Sequence, residues 1–492
     1  MPTELKADLR KGDEIPLEIL DAAFEGKSVA RHQGIVVFVD GGVPGDWVTA
    51  RVVKVKKNFA EARTLRVDKP SGLRVTPPCK HFSVCGGCKW QHVDYSAQLR
   101  FKQQHVVDAF ERIGGFKNVT TLPILGSEAQ YFYRNKMEYS FSDQQWLETP
   151  PPRKAENDLA PDPANPPGVY LGLHVPQRYD KVLEIEECHL QSRLSNEILN
   201  FTRAYARKNN LPVYSSELHS GYLRFLVIRQ SRRSEETLVN LVTFEDRQDT
   251  MRRFSDALVA AIPSVTTVVN TVNTRKAQIA YGELERVYVG NGVIRETLGG
   301  ATFKVSAASF FQTNTAQAER LYAVAKSFGE FNPTDVVYDL YCGTGAIAIF
   351  IADAVQTVVA VDSAESAIRD AGENAVANGV KNCEFVLGDL KDRLTRETDW
   401  VESHPPPNAM IIDPPRSGMH PRVVEEIVRI GPERIVYVSC NPATQARDAK
   451  LLCASGYSLE KLQPVDMFPH TYHVENVALF RRSKIDLNVR PT

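Results

Sequence analysis

Three cysteines fall within ten positions in CKHFSVCGGCKW, residues 79–90: Cys79, Cys85 and Cys88. Another, Cys440, stands alone in RIVYVSCNPAT. The clustered thiols have the density of a metal-ligand set. The solitary one ends an apolar strand just before Asn-Pro, where parallel strands open onto a ligand crevice. A cysteine in an apolar segment is most often core packing, and Cys453 in LLCASG is read that way. Cys440 differs because it follows the strand after Asp413 and should face the same crevice. Glu475, in HTYHVENVALF, lies near the start of the last apolar strand, with His470 and His473 close by. A buried carboxylate beside a nucleophile can serve as a general base. Methylation of uracil at C5 needs both groups. A thiolate adding to C6 creates an enolate with electron density at C5, and after C5 has been alkylated a base must remove its proton so that the thiolate can leave.

These groups need a scaffold, and the second half of the chain reads as one. VVYDLYCGTGAIAIF is an apolar strand, a Gly-rich turn and a helix. Gly343 and Gly345 let the backbone turn tightly, and the helix start offers free N–H groups to a ligand. The pattern is G-x-G rather than G-x-G-x-x-G, so a dinucleotide pyrophosphate is less well served. The next strand, TVVAVD, ends in Asp362, placed to accept hydrogen bonds from ribose hydroxyls. Further strands lead to Asp389 in LGDL and Asp413 in IIDPPR. Acids on loops at strand ends are how S-adenosyl-L-methionine (SAM) methyltransferases hold their cofactor. An α/β domain for another nucleoside is the alternative. Alternating helix and strand from residue 301 to 492 imply βαβ units and a Rossmann-like sheet.

The remainder divides in two. Residues 1–70 carry short alternating strands broken by Gly and Pro-Gly-Asp turns, the pattern of a small OB-like β-barrel. Residues 71–300 hold the cysteines, a helix over 95–116 ending at Gly-Gly, and then mostly β-strands. A Pro-rich run at 149–168 reads as a disordered insertion. A length of 492 residues with 43% hydrophobic and 24% charged residues suits a soluble multidomain protein. The net charge of −1 gives no global attraction for nucleic acid. Two local stretches do: RVVKVKKNFAEARTLR (51–66), and YLRFLVIRQSRR (222–233) with its four arginines. Each is either a solvated basic face or an RNA contact. With no signal peptide and no apolar run long enough for a membrane span, a cytoplasmic location is expected.

At this point the chain resembles the bacterial RNA uracil-C5 methyltransferases, most closely the branch acting on 23S ribosomal RNA and more distantly the tRNA T-loop enzyme. The resemblance covers nearly the full length. GKSVARHQGIVVFVDGGVPGDWV resembles a TRAM domain, a small RNA-binding barrel. FKVSAASFFQTNTAQAERLY, DLYCGTG, VDSAESAI and DPPR imply that Gln312, Tyr341, Asp362 and Asp413 contact SAM. VSCNPAT and HVENV imply that Cys440 is the nucleophile and Glu475 the base. The family usually has Glu where this chain has Asp362. The insertion at 149–168 departs from the family core.

The spacing C-x5-C-G-G-C leaves one ligand to find. Cys342, Cys383, Cys440 and Cys453 belong to the methyltransferase half, so Cys188 in VLEIEECHLQ is the best fourth. Four thiolates suit zinc or a 4Fe–4S cluster, with His81, His92 and His189 as lesser alternatives. The resemblance implies the 4Fe–4S cluster. The uracil chemistry has no redox step, so the cluster is expected to be structural. Other reactions fit less well. Cytosine-C5 enzymes of RNA place their cysteine in a different local motif. Amino-group methyltransferases carry an aromatic residue where Arg416 follows the prolines, and have no use for Cys440. A non-enzymatic RNA-binding assembly factor would not need intact Cys440 and Glu475. No protein partner is implied, and a monomer is expected.

Overall fold

The computed structural model describes residues 9–147, 167–175, 181–395 and 400–483. The insertion expected at 149–168 lies outside them apart from its last two residues. Five strands, β1 (Glu14–Ala22), β2 (Ser28–His32), β3 (Ile35–Asp40), β4 (Trp47–Val55) and β5 (Phe59–Lys69), close into a barrel in the order β1-β2-β3-β5-β4. Alternate residues such as Ile15, Leu17, Val37, Val39, Val48 and Ala50 fill its interior. The opposite phase points outward, as a half-buried strand requires. It carries the basic residues of 51–66 to the surface, where Lys56, Lys57 and Arg63 have no acidic partner among the described residues.

Helix α1 (Tyr95–Ala109) follows, capped by Asp94 and closed by a wide turn at Phe110–Gly114. Strand β6 (Thr120–Thr121) does not join the central region expected for residues 71–300. It pairs at the edge of the C-terminal sheet, and α1 and its final turn pack on that side. The central sheet comprises β7 (Lys136–Ser142), β8 (Tyr170–His174), β9 (Val182–Glu184), β10 (Leu223–Gln230), β11 (Thr237–Thr243), β12 (Thr267–Val272) and β13 (Leu284–Val289). Helices α2 (Arg193–Lys208) and α3 (Gln248–Ala261) cover it, so the region is less purely β than its strand-rich sequence suggests. Strand β10 is buried along its whole length. Arg224 is therefore neither solvated nor an RNA contact. Its guanidinium donates to the carbonyls of Asn273, Arg275 and Ala277. Arg229 donates to the carbonyls of Ala307 and Ser309. Only Arg232 and Arg233 of that stretch reach the surface.

A hairpin of β14 (Val293–Leu298) and β15 (Ala301–Ser306) leads into the C-terminal domain. There α4 (Thr315–Gly329), β16 (Val336–Leu340), α5 (Ala346–Ile351), β17 (Thr357–Asp362), α6 (Glu365–Ala377), β18 (Cys383–Leu387), α7 (Leu390–Arg393), α8 (Trp400–Ser403), β19 (Ala409–Ile412), α9 (Pro421–Ile430), β20 (Arg434–Ser439), α10 (Pro442–Ala454), β21 (Tyr457–Val465) and β22 (Glu475–Arg482) alternate as expected. The sheet order is β18-β17-β16-β19-β20-β22-β21-β6. Strands β16 to β20 are parallel, and β22 runs antiparallel between β20 and β21. The chain winds outward from β16 in one direction and from β19 in the other. The crevice between their carboxyl ends is where such a sheet binds its ligand. No helix among the described residues is long and apolar enough to cross a membrane.

Candidate active site

Cys440 follows β20 directly and Glu475 opens β22. The two strands pair with Ser439 opposite Asn476, so the next step of the register sets Cys440 opposite Glu475. The turn carrying Cys440 is fixed on both sides. The Ser439 hydroxyl accepts from the Asn441 N–H, and the Asn441 side chain caps α10 by accepting from the Ala443 N–H. Pro442 then starts the helix, a position that needs no N–H. Cys440 is partly exposed, whereas Glu475 is buried.

The electrostatics bind four residues into one site. Burial pushes the Glu475 carboxyl up to about 8; the nearby Asp413 adds to this and Arg416 opposes it. Burial alone takes Asp413 to about 7. The Cys440 thiol is pushed up to about 11 by burial and then by Glu475, with the Arg416 guanidinium again opposing. Arg416 is thus the cation that opposes the rise of both Cys440 and Glu475, a role its place in the sequence does not announce. It sat in view in DPPR, yet only its fold neighbours reveal what it faces. Its Nη2 lies 3.2 Å from His473 Nδ1. Burial, with Arg416 beside it, pulls His473 down to about 4, so that ring is neutral at physiological pH. The Arg416 main chain is fixed from the Cys440 turn, where Asn441 Nδ2 and Thr444 Oγ1 donate to its carbonyl.

Gln312 reaches the same neighbourhood from the segment before α4. Its side chain hydrogen-bonds Tyr322, whose hydroxyl is held neutral by burial and by the charges of Asp413, Asp339 and Glu475. Its main chain is gripped by the central domain: Asn135 Nδ2 donates to the Gln312 carbonyl at 2.9 Å, and the Asn135 N–H to that of Thr313 at 2.7 Å. Neither Asn135 nor Tyr322 carried a signal in the sequence, because their role depends on which elements meet.

The cofactor crevice lies at the ends of β16, β17 and β18. It encloses about 400 Å³ and is lined by Tyr341, Asp362, Asp389 and Lys391, among others. Tyr341 has φ 67°, a conformation costly for a non-glycine residue, and its N–H and that of Cys342 both bond the Val361 carbonyl. Gly345 has φ 75°, and a Cβ there would sit 2.7 Å from Phe385. Asp362 accepts from the N–H groups of Gly343 and Ala364, each at 2.9 Å. A carboxylate has about four acceptor positions, so the shorter acid fastens the Gly-rich loop and still offers two positions to a ribose. The chemistry and shape of this crevice fit SAM. Tyr341 and Asp362 line it, and Asp413 leads through Pro415 to its wall.

The cysteine segment forms a second cavity of about 280 Å³, away from Cys440. Cys79, Cys85, Cys88 and Cys188 all line it, as do His81 and His189, whereas His92 does not. Asn196 of α2 holds Cys188 by accepting from its N–H and donating to its carbonyl. All eight cysteines are free. Burial pushes Cys85 and Cys88 up to about 12, and each feels the charge of Cys188. Among the described residues, no three His, Cys, Asp or Glu side chains are gathered tightly enough to hold a metal ion.

Comparison with known proteins places the chain in a family. The family model for tRNA (uracil-5-)-methyltransferase matches residues 175–483, and that for the TRAM domain matches residues 8–65. A protein of Chlorobaculum tepidum named as an uncharacterized RNA methyltransferase is 42% identical, covering 96% of this chain and 98% of its own. One of Porphyromonas gingivalis with the same description is 43% identical, covering 95% and 100%. The crystal structure of Pyrococcus abyssi tRNA (uracil-54, C5)-methyltransferase with S-adenosyl-L-homocysteine superposes with a TM-score of 0.71 at 28% identity. It covers 94% of this chain and 100% of that one. With a TRAM barrel, a SAM crevice and a Cys–Glu pair on the rim of strand ends, the chain belongs to the tRNA (uracil-5-)-methyltransferase family of SAM-dependent RNA methyltransferases.

Proposed function

We propose that this protein forms 5-methyluridine in 23S ribosomal RNA. The observation that carries the reading is the facing pair Cys440 and Glu475, with Asp413 and Arg416 at the same spot. The target uridine leaves its stack to enter the site. Cys440 adds as thiolate to C6, and Arg416 opposes the rise in its pKa. SAM, when bound, supplies the methyl group to C5. Glu475 then takes the C5 proton, and the C6–S bond breaks to return the thiolate. A carboxyl titrating near 8 is a stronger base than an exposed one and is tuned close to the working pH. Gln312, Tyr341, Asp362 and Asp413 hold SAM. The exposed basic strands of the barrel, with Lys56, Lys57 and Arg63, meet the phosphates.

We assign Cys79, Cys85, Cys88 and Cys188 to a 4Fe–4S cluster. A zinc ion draws its sulfurs to about 2.3 Å from one point. The four thiols line one cavity, three of them from one short segment and the fourth remote in sequence, a spacing unlike the paired knuckles common in zinc sites. The cluster ties the segment before α1 to the central sheet and supports the RNA-binding face. Residues 1–70, 71–300 and 301–492 act as barrel, central RNA-binding and methyltransferase units, with residues 95–125 lent to the third.

The Pyrococcus abyssi relative acts on tRNA, so a tRNA uridine is the second reading. Release of tritium from 5-tritiated uridine, dependent on SAM, tests both. Release from 23S ribosomal RNA but not tRNA supports the first. Release from tRNA alone supports the second, and release from neither refutes the activity.

A further inference from the structure

The nine residues between β21 and β22, 466–474, run straight into Glu475 and are bound by every folded unit. Asp466 is fully buried and forms an ion pair with the equally buried Lys102 of α1. Lys102 Nζ also donates to the Phe468 carbonyl at 3.0 Å, and the Tyr95 hydroxyl donates to Asp466 Oδ2 at 2.7 Å. Gln98, one helical turn before Lys102, accepts from the His470 N–H at 2.9 Å and lies 3.2 Å from His470 Nδ1. Two N–H groups just past Cys88, those of Lys89 and Trp90, donate to the His470 carbonyl at 2.8 and 3.0 Å. Tyr131 stacks on the His470 ring at 4.2 Å, and Tyr133 donates to the Pro469 carbonyl. Tyr472 meets Phe24 of the barrel, and His473 meets Arg416.

His470 is held at φ 65°. Such a conformation in a non-glycine residue persists only where its surroundings over-determine it. A buried ion pair is a weak source of stability but a good device for fixing one arrangement of the chain. We propose that Lys102, Asp466, Gln98 and His470 are positioning residues for Glu475: they lock the strap 466–474 so that the carboxylate meets the C5 proton. This rests on Glu475 being the base for a uridine substrate. Its consequence is kinetic. Loosening the strap should spare SAM and RNA binding, spare attack by Cys440, and slow the proton removal that releases the product.

The full-length protein is tested as purified. Lys102→Met alone would leave Asp466 charged and buried, so the paired change Lys102→Met/Asp466→Asn is used, with Gln98→Ala as a second variant. SAM affinity, RNA affinity, covalent adduct on denaturing gels and tritium release are measured. The expected result is affinities within about two-fold of wild type, tritium release slowed about ten-fold or more, and accumulated adduct. Wild-type release rates in both variants overturn the proposal. So does a parallel fall in folded yield, SAM binding and adduct formation in both, which is the signature of a merely structural role. Failure of the wild type itself to release tritium would instead overturn the uridine reading.

Discussion

Replacing Glu475 by Gln separates its chemistry from its electrostatics. With a pKa of about 8, the carboxyl is neutral in about nine molecules of ten at pH 7. Gln is therefore close to a copy of the resting state, and the fold should accept it. The raised pKa means that the folded state prefers the neutral acid. Its stabilising share is complete below the ordinary 4.5 and is lost as pH rises through about 8. At about 1.4 kcal/mol per unit of pH, wild type should lose about 4 kcal/mol between pH 5 and pH 9 through this group. Glu475→Gln should lack that loss. Urea unfolding across the range reads the difference. The same variant should turn over about 10²–10⁴-fold more slowly and accumulate an RNA–protein adduct. Parallel stability profiles within about 1 kcal/mol would refute the desolvated carboxyl. Normal turnover would refute its role as base.

Cys440→Ala should abolish turnover and adduct formation while SAM binds with unchanged affinity by calorimetry. Arg416→Leu removes the charge that opposes the rise of both Cys440 and Glu475, so the ascending limb of the kcat/KM pH profile should move to higher pH. Gly345→Ala forces a Cβ into φ 75° and within 2.7 Å of Phe385. It should cost about 1–2 kcal/mol of stability and weaken SAM binding. Cys85→Ala should lower folded yield or RNA affinity. A well-folded, RNA-binding Cys85→Ala protein that keeps its metal yet lacks activity would contradict the structural role.

The sequence exposed the site more fully than the fold. Cys440 and Glu475 were legible because each ends or begins an apolar strand, and the acids of the crevice because each follows one. Arg416 was visible but its partners were not. LRFLVIRQ misled because arginines in a strand look alike whether they reach solvent or cap buried carbonyls. Only the neighbours at 273–277 and 307–309 decide between these. The covering helices α2 and α3 were hidden in a strand-rich stretch. The transfer of β6 to the other sheet rests on a pairing with Lys461 and Leu462 that local pattern cannot reveal. The structure sets the four cysteines around one cavity, and Cys188 is reached from the sequence by elimination rather than by spacing.

The direction of β22 has a consequence for how such a site can exist at all. A sheet wound only by right-handed crossovers delivers every strand's end to one rim and every beginning to the other. A nucleophile at the end of β20 could then never meet a residue that begins a strand. Six residues at about 3.3 Å each would hold them roughly 20 Å apart. Reversing the one strand beside β20 brings a beginning to the rim of endings. The sheet's one reversed strand thus brings a second side chain, Glu475, to a rim that otherwise carries only strand ends. Lengthening the turn at 455–456 between α10 and β21 would leave that meeting intact, whereas flipping β22 would abolish it without altering one side chain.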